Sequence, residues 1–105
     1  MSENNLQAKL DHIQSVYRDW LSAKSALADA QQELERALSL IQEIETAYYS
    51  ADFAALYQAD AEGKLNTATE GEYSVMGEDT IYNEFIEKDQ ILWSMLKLCV
   101  KHLER

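Results

Sequence analysis

The chain has 105 residues, with 19 acids against 9 lysines and arginines (formal charge −10), no proline, three glycines and one cysteine. That length fits a single helical domain over residues 1–105 with a modest core, and one cysteine excludes an internal disulfide. The clustered Lys and Arg that phosphate binding needs are missing, and no run reaches the roughly 20 apolar residues of a membrane span. Nucleic acid and membrane are therefore not expected partners.

The polar start Met1-Ser2-Glu3-Asn4-Asn5 lacks the positive charge and apolar run of a signal peptide. A reducing, cytoplasmic setting is the expectation, consistent with the lone cysteine. From Leu6 a repeat of seven begins: Leu6, Ile13, Trp20, Leu27, Leu34, Ile41 and Tyr48, with a second row at Val16, Ala23, Ala30, Ala37 and Ile44, broken only by Lys9. This three-four spacing is the pattern of one long helix laid against partner helices, and it predicts a helix over about 4–48. Leu10, Tyr17 and Leu38 widen its apolar stripe on one flank.

Ser50 is placed to cap a short second helix over about 51–61, with Asp52 in its first turn and Gly63 as its stop. Residues 63–77 carry Gly63, Asn66, Thr67, Thr69, Gly71 and Ser74, which interrupt any period and read as a connecting loop. The last helix is expected over about 78–103, opened by Glu78 and Asp79 and closed by Lys101 and His102. Its stripe runs through Tyr82, Phe85, Leu92, Leu96, Cys99 and Leu103, with Asp89 as the one polar interruption. The expected fold is all-α: a long antiparallel hairpin of the first and last helices, plus the short middle helix and the loop. The last helix is shorter than the first, so Leu6, Leu10, Ile13 and Tyr17 are left without an intrachain cover. Bare apolar stripes mark interfaces, and a homodimer through these four residues is the expectation.

Charge is uneven along the chain. Residues 43–89 hold twelve acids against Lys64 and Lys88, which is −10 for that segment alone, and five of the six tyrosines lie there. Solubility explains such a segment; so does a basic protein partner. The second reading makes Tyr49, Asp52, Tyr57, Asp60, Glu70, Glu72, Tyr73, Glu78 and Asp79 the contact surface, because aromatic residues are enriched at interface centres.

Catalytic chemistry finds no foothold. His12 and His102 are preceded at three positions by Lys9 and Cys99, so the Glu-x-x-His pattern of di-iron bundles is missing. Scattered carboxylates such as Asp52, Asp60 and Glu62 lack metal-ligand spacing, and no glycine-rich phosphate loop or Cys-x-x-Cys occurs. Cys99, set between Leu96 and Leu103, is expected as a buried structural thiol. Tyr17, Tyr48 and Tyr82 fall on apolar stripes and are expected in the core. Asp89 is expected at a helix rim, in a pair with a base such as Arg36, or as a functional carboxylate beside the tyrosines. No cofactor, metal or enzymatic role is expected.

The order Tyr48-Tyr49-Ser50, Asp52-Phe53, Tyr57, Asp60, Gly63-Lys64-Leu65, Val75-Met76-Gly77-Glu78-Asp79 and Ile81-Tyr82 resembles a family of small bacterial helical proteins catalogued only as a domain of unknown function. The likeness covers roughly residues 40–100. Gly77 stands where the family has a serine helix cap, and Phe53 where it often has tryptophan. The resemblance implies a helical architecture and a bacterial cytoplasmic setting, and it brings no activity. The leading expectation is a non-enzymatic interaction or accessory protein. Its rivals are a small-molecule-binding protein or enzyme, with a pocket under the 63–77 loop lined by Tyr48, Tyr57, Tyr82 and Asp89, and an acidic mimic of nucleic acid.

Overall fold

The computed structural model describes residues 3–104. It is all-α, with three helices in chain order: α1 (Glu3–Tyr48), α2 (Ala51–Ala61) and α3 (Thr80–Leu103). Extended pairing among the described residues is confined to one isolated bridge, Thr69 with Glu72. The chain divides into two compact units, Met1–Leu40 and Ile41–Arg105.

The described part of the first unit is α1 up to Leu40, and the last turns of that helix belong to the second. At 46 residues α1 is about 69 Å long, carried by a sequence rich in Ala, Leu, Glu and Gln with neither Gly nor Pro inside it. It buries none of its residues. Leu6, Leu10, Ile13 and Tyr17 are 53%, 57%, 62% and 52% exposed, and Trp20 and Leu27 are exposed as well. The N-terminal part of the heptad, Leu6 to Leu27, is thus exposed, while Leu34, Ile41 and Tyr48 are half-buried. Arg36 pairs along its own helix, with a guanidinium nitrogen 2.8 Å from a Glu33 carboxylate oxygen.

In the second unit the chain turns sharply after Tyr48. The Ser50 hydroxyl donates to the Ala47 carbonyl at 2.6 Å, and the Phe53 N–H donates back to Ser50 Oγ at 3.4 Å. One side chain therefore closes α1 and caps α2. The stop of α2 is a Schellman turn. Gly63, at φ +72, donates to the Asp60 carbonyl at 3.0 Å, and Lys64 donates to the Ala59 carbonyl at 3.0 Å. Left-handed backbone is what glycine supplies at that position.

The start of α3 differs from the sequence expectation by two residues. Asp79 adopts φ +65 and stands at the cap, but its side chain makes no capping hydrogen bond, so Glu78 and Asp79 precede the helix instead of filling its first turn. The cause lies upstream in a tight turn. The Gly77 N–H donates to the Ser74 carbonyl at 3.0 Å, and the Met76 N–H donates to Ser74 Oγ at 3.1 Å. Gly77 is therefore not the helix cap that the sequence resemblance implies there. It serves close approach instead: a Cβ on it would come 2.6 Å from Thr80 Oγ1 and 3.1 Å from the Ser74 carbonyl.

Ile81 is the one buried apolar residue among those described, at 7% exposure. Several expected core positions are open. Tyr17 and Tyr82 are about half exposed, and Cys99 is an exposed free thiol. Its neighbours Leu96 and Leu103 on the α3 stripe are exposed too, whereas Phe85 and Leu92 nearer the start of the helix are half-buried. Among the described residues, no helix is long and apolar enough to cross a membrane.

Candidate functional site

The second unit is organised around Tyr48, the last residue of α1. Its half-buried ring meets Tyr49 edge-on at 5.0 Å, tilts against Phe53 of α2 at 5.1 Å and meets Phe85 of α3 edge-on at 5.5 Å. Tyr49 in turn stacks on Phe85 at 6.4 Å. Edge-to-face and offset pairs at these separations contribute beyond area burial. One ring from each of the three helices, with Tyr49 from the turn between α1 and α2, thus holds the junction where α1 ends, α2 begins and α3 passes.

Beside this cluster lies a cavity of about 300 Å³. Tyr48, Phe53 and Tyr57 line it from the α1–α2 side. Val75, Met76, Gly77, Glu78 and Asp79 close it from the loop, and Ile81 and Tyr82 from the first turn of α3. Four of its lining residues are aromatic, Tyr48, Phe53, Tyr57 and Tyr82, and two are acidic, Glu78 and Asp79. Tyr57 and Tyr82 have no ring partner among the described residues, so their faces are not spent on other rings.

Of the nine residues proposed from sequence as a contact surface, the cavity gathers Tyr57, Glu78 and Asp79. Tyr49 belongs to the ring cluster and is exposed on its outer side. Asp52 sits in the first turn of α2, and the carbonyl of half-buried Asp60 serves the Schellman turn. Glu70 and Glu72 lie on the Thr69–Glu72 turn, whose ends are joined by the Glu72 N–H donating to the Thr69 carbonyl at 3.1 Å. Tyr73 follows at 94% exposure. These last five residues do not line the cavity.

Three of the four residues expected under the loop, Tyr48, Tyr57 and Tyr82, do meet there. Asp89 does not. It is exposed and takes the ammonium of its neighbour Lys88 at 3.2 Å, while Arg36 is held by Glu33. The expected Arg36–Asp89 pair is replaced by these two local ones, Arg36 reaching Glu33 one helical turn back on the same face. Sequence reasoning missed the ring cluster as a unit. Its signal was a tyrosine pair directly before a Ser cap, with Phe53 three residues beyond that cap.

Electrostatics in this unit are one-sided. Lys64 and Lys88, the two bases of the 43–89 segment, are committed to Glu62 at 2.6 Å and Asp89 at 3.2 Å. The Lys64 ammonium, helped by the Gln58 amide, holds the Glu62 carboxyl below the usual carboxylate range. Glu78 and Asp79 have no ion pair among the described residues. Among the described residues, no group of three His, Cys, Asp or Glu side chains could hold a metal ion.

An all-α chain with a long first helix, a short capped second helix and an aromatic junction before the third defines a small helical protein of the kind the sequence resembles. The family comparison makes it specific: residues 10–98 match the model of the Domain of unknown function (DUF4298), and the chain belongs to that family. No curated protein and no solved structure matches the chain.

Proposed function

We propose that this protein is a non-enzymatic interaction or accessory protein of the bacterial cytoplasm, working as a homodimer and recognising a basic protein partner. The observation that carries the reading is the state of its apolar side chains. A 12.0 kDa chain with a strong heptad buries a single apolar residue among those described and none in its longest helix. Exposed apolar rows of this extent on one chain mark surfaces meant for other protein surfaces. Leu6, Leu10, Ile13 and Tyr17 form the self-association face, most simply antiparallel about a two-fold axis. The partner surface is the acidic, tyrosine-bearing segment 48–82, where Tyr49, Tyr57 and Tyr73 are exposed among carboxylates. Charge of one sign speeds and orients encounter with a basic surface.

The test is affinity capture from lysate of the source organism, run beside a variant carrying Glu70→Lys, Glu72→Lys, Glu78→Lys and Asp79→Lys. A protein held by the native bait and released by the variant supports the reading. Equal lanes contradict it.

A second reading draws on the 300 Å³ cavity, which is the size of a small-molecule site. It assigns the protein a metabolite instead of a protein partner, and thermal stabilisation by a ligand panel is its test. Carboxylates set in rows at phosphate-like spacing would be needed for the mimic of nucleic acid, which ranks last.

A further inference from the structure

The walls of the cavity beside Tyr48 specify a chemistry that the acidic surface alone does not. Tyr57 and Tyr82 have no ring partner among the described residues, and Tyr48 and Phe53 line the cavity with them. An aromatic face attracts a cation through its quadrupole. Glu78 and Asp79 also line the cavity, neither in an ion pair among the described residues, and the two lysines of the 43–89 segment are taken by Glu62 and Asp89. The Asp79 carboxylate is not used by its own helix either, since it makes no capping hydrogen bond. A pocket lined by four aromatic and two acidic residues, with no Lys or Arg in its lining, is complementary to a positive group that brings its own apolar stem. Lysine and arginine side chains have that form.

We propose that this cavity receives the ammonium or guanidinium head of a lysine or arginine side chain presented by the basic partner. The assignment rests on the interaction reading above and adds to it the anchoring residue and its socket. Tyr57 and Tyr82 clasp the charged head and its stem, and Glu78 and Asp79 neutralise it. An anion is the opposite possibility, because the start of α3 is the positive end of a helix dipole. The two carboxylates at that end repel one.

The test uses the full chain and aromatic-ring NMR of its tyrosines. Probes are butylammonium chloride, methylguanidinium chloride, a capped Gly-Arg-Gly-Lys-Gly peptide, sodium phosphate, and sodium chloride at matched ionic strength. The Tyr57 and Tyr82 ring signals are expected to move saturably with both organic cations and with the peptide, and not with phosphate or sodium chloride. The peptide is expected to saturate at a concentration about tenfold or more below the free cations. Tyr82→Leu and Asp79→Asn, each with unchanged far-UV circular dichroism, are expected to weaken the peptide about three- to tenfold.

Saturation by phosphate, or shifts that sodium chloride reproduces, would overturn the proposal. Free cations that bind as tightly as the peptide would overturn the partner side chain as the source. Glu70→Lys with Glu72→Lys lies outside the cavity and separates the two claims. The peptide titration is expected to survive this change even if partner capture does not. Loss of the titration with capture intact would count against the cavity alone.

Discussion

Replacing Tyr48 is the sharpest perturbation of the second unit, because one side chain touches three others. Its ring pairs with Tyr49, Phe53 and Phe85 at 5.0, 5.1 and 5.5 Å. At about 0.5–1.5 kcal/mol per aromatic pair beyond burial, Tyr48→Leu, which keeps most of the apolar volume, is expected to cost ~3 kcal/mol. With a urea dependence of about 1.5 kcal/mol per molar for a chain of this size, the unfolding midpoint falls by roughly 2 M. The assay is urea unfolding followed by far-UV circular dichroism at one fixed protein concentration, since self-association stabilises by mass action. Tyr73→Leu is the control: at 94% exposure and without a ring partner, it is expected to change stability by no more than about 0.5 kcal/mol. A double-mutant cycle between Tyr48 and Phe85 is expected to return a coupling of about 1 kcal/mol. Coincident midpoints for the Tyr48 and Tyr73 variants would refute the claim that the ring cluster holds the junction.

Further outcomes follow from single positions. Gly63→Ala places a Cβ in open space but at φ +72, so its cost is backbone strain alone, about 1 kcal/mol, read as a thermal midpoint about 4 °C lower. Asp79→Gly relieves the reverse strain at φ +65 without losing a cap bond, and is expected to raise that midpoint by a few degrees. Arg36, first by hydrogen bonding and then by its charge, holds the Glu33 carboxyl below its ordinary value. The helix stabilisation from this pair is present above the unfolded carboxylate midpoint and is lost as pH falls through the lowered folded one. In a carbon-detected titration Arg36→Gln is expected to raise the Glu33 midpoint.

Local chemistry made much of the fold legible. The bounds of α2 follow from Ser50 and Gly63, which cap and stop it by side-chain and left-handed backbone geometry that sequence alone encodes. The long helix follows from its heptad. What covers that heptad does not, because a periodic stripe looks the same whether it faces its own chain or a second one. The start of α3 was less readable. Glu78 and Asp79 are reasonable first-turn residues, and only the Ser74–Gly77 turn, a matter of close packing at Gly77, places them before the helix.

The site divides in the same way. Composition pointed to the acidic tyrosine segment, but the selection of Tyr57, Glu78 and Asp79 around one cavity with Tyr82 depends on how the loop returns to α2. Cys99 was misread for a simple reason. An apolar neighbourhood along one helix implies burial only when another element lies over it, and Leu96 and Leu103 are themselves exposed.

The central claim is that the uncovered apolar row of α1 is an interface. Sedimentation equilibrium at tens of micromolar tests it directly, with the native chain beside Ile13→Asp. The account predicts twice the 12.0 kDa chain mass for the native protein and the single chain mass for the variant. A native protein that sediments as one chain across that range would contradict it.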